Sequence, residues 1–129
     1  MILADTDVLI DYLMEIQPVS GQVLAYRESD NLQTTAITCY ELLSGAREGK
    51  RGDAVRRLLA TTPIVSLDAN AATRAAAVRQ QLEQEGYSIG MADSLIAGIA
   101  LANNLPLMTR NRKHFEAVEG LRLISVAGI

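Results

Sequence analysis

Strand-like and helix-like segments alternate along the whole of this chain, and that alternation leaves few folds open. Residues 1–4 form a short apolar run that leads straight into a helical segment over about 6–14. Pro18 marks a new start, and 19–27 reads as a second helix. Residues 33–37 have the Thr-rich, β-branched character of a strand. Helical patterns follow over 38–47 and 53–60, with Gly49 and Gly52 as punctuation, and 63–67 is the third strand. A long amphipathic helix is predicted over 70–85, closed by Gly86, with a mixed stripe of Ala72, Ala75, Ala76, Val78, Arg79 and Leu82. The nearly all-apolar run 91–102 suits a buried helix, and 105–108 and 121–126 are the last two strands. Such a sequence predicts an α/β fold, a three-layer sandwich with a parallel sheet of about five strands between helices. A chain of 129 residues, 49% of them hydrophobic, suits one domain over 1–129 with a core of Leu, Ile, Val and Ala.

In an open parallel sheet the carboxyl ends of the strands share one edge, where ligands bind. Asp5, Glu41 and Asp93 each stand where a strand-like run or a turn gives way to a helix. Each has a modest alternative use. Asp5 and Asp7 suit the cap and first turn of a helix, Thr38-Cys39-Tyr40-Glu41 matches a capping box, and Asp93 falls in a first helical turn behind Gly90. Capping, however, places no demand on where the helices stand relative to one another. Convergence does, because two carboxylates about 4 Å apart repel by about 4 kcal/mol at an effective dielectric near 20. A hard divalent ion removes that cost, and an all-oxygen donor set suits Mg2+, with Mn2+ as a substitute. Zinc would want histidines or thiolates, and the chain has one of each.

The single Cys39 excludes an intrachain disulfide and points to a reducing compartment. No basic leader opens the chain and no apolar run approaches the roughly 18 residues that span a bilayer, so a cytoplasmic protein without a membrane partner is expected. A net charge of −3 argues against coating nucleic acid by bulk attraction. Two local basic patches, Arg47 to Arg57 and Arg110, Arg112 and Lys113, are candidates for phosphate contact or for plain solvation.

Taken together, Asp5-Thr6-Asp7-Val-Leu-Ile-Asp11-Tyr-Leu, Thr38-x-x-Glu41-Leu, Asp93-Ser94-Leu-Ile-Ala and Thr109-Arg110-Asn111-Arg112-Lys-His114-Phe resemble four motifs of the PIN-domain ribonucleases, most closely the VapC-type toxins. The motifs span almost the whole chain in order. The resemblance implies a compact sheet of about five parallel strands and a magnesium-dependent endoribonuclease site. Asp5, Glu41 and Asp93 would be the acidic metal ligands, with Asn111 as a fourth site residue through its amide oxygen. Thr6, Asp7, Ser94, Thr109, Arg110 and Arg112 would support the site or touch RNA. Many relatives have acids in the last motif where this chain has Asn111 and His114, so one firmly held ion is expected, and a second only with substrate phosphate present. His114 is expected to be a loop histidine beside Phe115 and not a general base.

Attack by metal-activated water, without the ribose 2′-hydroxyl, would leave a 5′-phosphate and a 3′-hydroxyl. The resemblance also implies a homodimer and a VapB-type antitoxin, in a heterotetramer or a larger assembly. Tyr12, Leu13, Met14, Leu42 and Leu43 are candidates for an apolar groove that receives the antitoxin. Three rivals use the same residues. In a haloacid-dehalogenase-like phosphatase Asp5 would be the nucleophile, in a receiver domain Asp5, Asp68 and Thr109 would form a phosphoacceptor site, and a degenerate PIN domain would only bind.

Overall fold

The computed structural model of the protein describes residues 1–126. Among the described residues five strands, β1 (Ile2–Ala4), β2 (Leu32–Thr35), β3 (Ile64–Val65), β4 (Leu107–Met108) and β5 (Leu123–Ile124), form one sheet in the order β3-β2-β1-β4-β5. Every pairing is parallel, with Ile2 opposite Leu32 and Leu3 opposite Leu107. Among the same described residues seven helices are interleaved with them: α1 (Thr6–Leu13), α2 (Val19–Glu28), α3 (Ala36–Gly45), α4 (Lys50–Ala60), α5 (Ala69–Gln84), α6 (Met91–Ala102) and α7 (Arg112–Phe115).

Successive side chains of a strand face opposite ways, and β1 divides accordingly. Ile2 and Ala4 join a core with Val8, Leu9, Val23 and Leu58, whereas Leu3 joins a second core with Val78, Ile96, Ile99 and Phe115. Helices α1, α2 and α4 therefore cover one face, and α5, α6 and α7 the other. Helix α3 crosses the carboxyl edge of the sheet, with Leu42 in the first core and Ile37 against the second. Among the described residues no helix is long and apolar enough to cross a membrane.

The chain first builds outward from β1 through β2 to β3, then returns to place β4 on the other side of β1. Strand order thus reverses between β1 and β4, the position at which open α/β sheets bind ligands. Asp5 follows β1 directly and Thr109 follows β4 directly. Their strands are joined there by the Asp5 N–H donating to the Met108 carbonyl at 2.9 Å.

Several sequence-based expectations need correction. Helix α4 begins at Lys50, three residues before the predicted start, and Gly52 lies inside it. A Cβ at Gly52 would collide with the Arg47 carbonyl, so this glycine serves a close backbone approach and not a break. Of the predicted α5 stripe, Ala75, Val78 and Leu82 are buried as expected and are joined by Ala71, whereas Ala72, Ala76 and Arg79 are exposed. Gly86, at φ +85°, does end that helix: its N–H donates to the Glu83 carbonyl and the Tyr87 N–H to the Leu82 carbonyl, a Schellman closure. The capping box at Thr38 does not form. Helix α3 starts earlier, at Ala36, and its cap is Thr35, whose Oγ1 accepts the Thr38 N–H at 3.1 Å.

Candidate active site

Asp5 is the N-cap of α1 and is 4% exposed. Its Oδ1 accepts the Thr6 N–H at 2.8 Å and its Oδ2 accepts the Thr109 hydroxyl at 2.7 Å. Burial pushes the carboxyl pKa up to about 6, and the charges of Asp7 and Asp93 push the same way. The Thr109 and Thr6 hydrogen bonds offset only part of this. Among the described residues no lysine or arginine pairs with Asp5.

Glu41 is released from capping by the early start of α3, and its Oε1 accepts the Thr6 hydroxyl at 2.7 Å. Thr6 Oγ1 also lies 3.1 Å from Thr38 Oγ1. Since Thr6 has one hydroxyl hydrogen and gives it to the carboxylate, Thr38 must donate to Thr6. Thr35 Oγ1 stands 3.4 Å behind Thr38 Oγ1, so a line of three threonine hydroxyls runs from β2 to Glu41.

Asp93, in the first turn of α6, is only partly buried, and its Oδ2 lies 2.8 Å from His114 Nδ1. His114 therefore belongs to α7 and contacts an acid; it is not a free loop histidine. Sequence reasoning missed this contact because the four-residue α7 is too short to leave a periodic signal.

A second network fastens the 109–111 segment to α1. Asp7 does not cap its helix: its Oδ2 accepts the Arg110 N–H at 3.0 Å, while among the described residues its buried Oδ1 has no hydrogen-bond partner. One turn further along the same helix face, Asp11 pairs with Arg110 Nε at 2.9 Å. Burial raises the Asp7 pKa, partly countered by the Arg110 N–H and the Arg110 charge. The guanidinium proposed for RNA is thus engaged with Asp11, a residue to which the sequence alone assigned no role. The Asp7–Asp11 spacing of four was the available signal. Thr109 Oγ1 accepts the Asn111 N–H at 3.0 Å, so one hydroxyl orders both Asp5 and the start of the next segment. The Asn111 side chain is exposed and makes no capping bond. Ser94 is buried and donates back to the Met91 carbonyl at 2.7 Å, and Asp68 caps α5 through the Ala71 N–H.

Asp5, Thr6, Glu41 and Thr109 are therefore joined in one hydrogen-bonded constellation, and Asp93 acts on Asp5 through its charge. Among the described residues, however, no three acids or histidines are drawn tightly enough together to hold an ion as they stand. Like charges lacking a counter-ion favour such separation. The donor chemistry still fits a hard cation: the groups are carboxylate oxygens, and the buried one, Asp5, has no positive partner among the described residues.

A groove of about 530 Å³ opens beside Glu41 between α1, α3 and α4, lined by Ile10, Leu13, Met14, Leu42 and Val55 with Lys50 and Arg51 at its border. Of the expected lining residues, Tyr12 faces a neighbouring cavity and Leu43 is exposed elsewhere.

The PIN domain profile matches residues 2–121. The chain belongs to the PIN-domain family. Within that family it is 31% identical over 126 residues to ribonuclease VapC1 of Methanocaldococcus jannaschii, a match covering 95% of this chain and 85% of the relative. It is 32% identical over 122 residues to ribonuclease VapC10 of Mycobacterium tuberculosis, covering 95% and 91%. The crystal structure of VapBC2 from Rickettsia felis bound to a promoter DNA fragment superposes with a TM-score of 0.83 at 25% identity, over 96% of this chain and 98% of that one. This PIN protein is thus of the VapC type, and the five-stranded parallel sheet is the PIN fold. PIN membership sets aside the phosphatase and receiver alternatives.

Proposed function

We propose that the chain is a divalent-metal-dependent endoribonuclease, the toxin of a type II toxin-antitoxin pair. The observation that carries this reading is Asp5: a carboxylate 4% exposed at the β1/β4 switch point, held by neutral donors and, among the described residues, paired with no cation. Asp5 and Asp93 would hold Mg2+ or Mn2+, with Glu41 binding directly or through water. Such an ion, when bound, polarises a phosphoryl oxygen and acidifies water.

The protein's own residues prepare that chemistry. Thr6 N–H and Thr109 Oγ1 fix the two oxygens of Asp5, and the Thr6 hydroxyl fixes Oε1 of Glu41, while among the described residues no hydrogen bond engages Oε2. Asp7, Asp11 and Arg110 hold the segment that carries Thr109 and Asn111, with the Asn111 amide facing solvent. Arg112, Lys113 and the Arg47 to Arg57 group would steer RNA past the acids.

The partner would be a VapB-type antitoxin, as in the VapBC2 complex, with an amphipathic segment in the groove beside Glu41. Its apolar floor suits leucine-like anchors, and Lys50 and Arg51 suit an acidic flank. A homodimer within a heterotetramer or larger assembly would follow.

Incubation with structured RNA tests the enzymatic reading. Cleavage is expected with Mg2+ or Mn2+, none with EDTA, and a fall of about 1000-fold or more for Asp93→Asn, with 5′-phosphate and 3′-hydroxyl ends. A 2′,3′-cyclic phosphate product would rule out the mechanism. RNA binding by a homogeneous, ion-loaded preparation that never cleaves would favour the degenerate binding module.

A further inference from the structure

His114 has no part in the chemistry above, yet its Nδ1 lies 2.8 Å from Asp93 Oδ2. A carboxylate only accepts, so Nδ1 carries the hydrogen and donates it. We propose that His114 is the positioning residue of Asp93, holding one oxygen so that Oδ1 is presented to the ion. The inference rests on the reading of Asp93 as a ligand.

Each acid of the site is held by a donor from another element. Thr109 holds Asp5 from beyond β4, and Thr6 on α1 holds Glu41 on α3. Asp93 differs from Asp5 because it is only partly buried, so packing alone does not select its rotamer. Among the described residues no hydrogen bond reaches its Oδ1. His114 is delivered to it by a rigid support: Phe115, next in the chain, is fully buried in the second core, and the His114 N–H donates to the Asn111 carbonyl at 3.0 Å. The Arg110–Asp11 pair fixes the start of the same segment. An exposed pair of this kind contributes little to stability. Its consequence is the orientation of a ligand, as outer partners of metal ligands provide elsewhere.

His114 is the one histidine in the chain, so 15N-labelled histidine gives a single imidazole signal. In the ion-free protein at pH 8 this signal should report the Nδ1–H tautomer, and Asp93→Asn should shift it. Calorimetric titration with Mn2+ then compares variants with unchanged thermal midpoints. His114→Ala should weaken Mn2+ binding about 10-fold. His114→Asn, whose amide N–H occupies the place of Nδ1–H, should stay within about 3-fold of the parent, whereas His114→Gln should resemble the alanine variant. An Nε2–H tautomer, or alanine and parent proteins that bind Mn2+ equally, overturns the inference while leaving the metal site intact. A parent protein that binds no Mn2+ overturns both.

Discussion

Replacing Asp5 by asparagine is expected to raise the thermal midpoint of the ion-free protein at pH 7.5 and to reduce RNA cleavage by about 1000-fold or more. The folded protein holds the Asp5 proton more tightly than the unfolded chain, with a pKa of about 6 against 3.8. Between those two values the native state binds more protons than the unfolded one. Stability therefore falls as pH rises from about 4 to about 6, by about 3 kcal/mol in the limit. The raised pKa of Asp7 acts in the same direction. Asparagine removes the charge and keeps an acceptor for the Thr6 N–H, but weakens the Thr109 contact, so a net gain of about 1–2 kcal/mol is expected. The gain should vanish near pH 4.5, where the native carboxyl is protonated. It should also shrink with Mg2+, because an ion that binds only the folded parent stabilises it. A Tm series in EDTA from pH 4.5 to 7.5 checks this, and an Asp5→Asn variant melting below the parent at pH 7.5 would contradict it.

The second large effect lies away from the site. Gly98 faces α5 at a close approach of two helix backbones: a Cβ there would stand 2.5 Å from the Ala71 carbonyl, 2.6 Å from Ala75 Cβ and 2.7 Å from the Ala75 nitrogen. Backbone atoms cannot swing aside as a long side chain can. Gly98→Ala should therefore cost about 3 kcal/mol, despite alanine's better helix propensity, by forcing α6 off α5. Because α6 carries Asp93, the displaced helix should also lower cleavage in whatever fraction remains folded. Urea unfolding is the measurement, and a variant as stable as the parent would show that the two helices can separate freely.

The layered fold was readable because its signals are local. The apolar run 91–102 coincides with α6, bounded by Gly90 and Asn103, four strands fall within their predicted segments, and β2 overlaps its own but starts one residue earlier. Boundaries failed where two residues competed for one role. Thr35 and Thr38 both suit a cap, and β2 ends early enough for Thr35 to take it. That choice frees Glu41 for Thr6, a contact spanning 35 positions that no periodicity encodes. Asp5, Glu41, Asp93 and Thr109 were legible as types at strand and helix ends. Their supports were less so: Arg110 turned inward to Asp11, and His114 reached Asp93 across 21 positions, because tertiary placement and not local pattern decides such pairs.

Anomalous diffraction from crystals of the protein equilibrated with millimolar Mn2+ would test the central claim most directly. The account predicts a peak at the β1/β4 crevice, with oxygens of Asp5 and Asp93 about 2.0–2.3 Å from it and Glu41 in the same coordination sphere or one water away. A crevice without a peak, or an ion that binds elsewhere and leaves Asp5 with its Thr6 and Thr109 contacts alone, would contradict it.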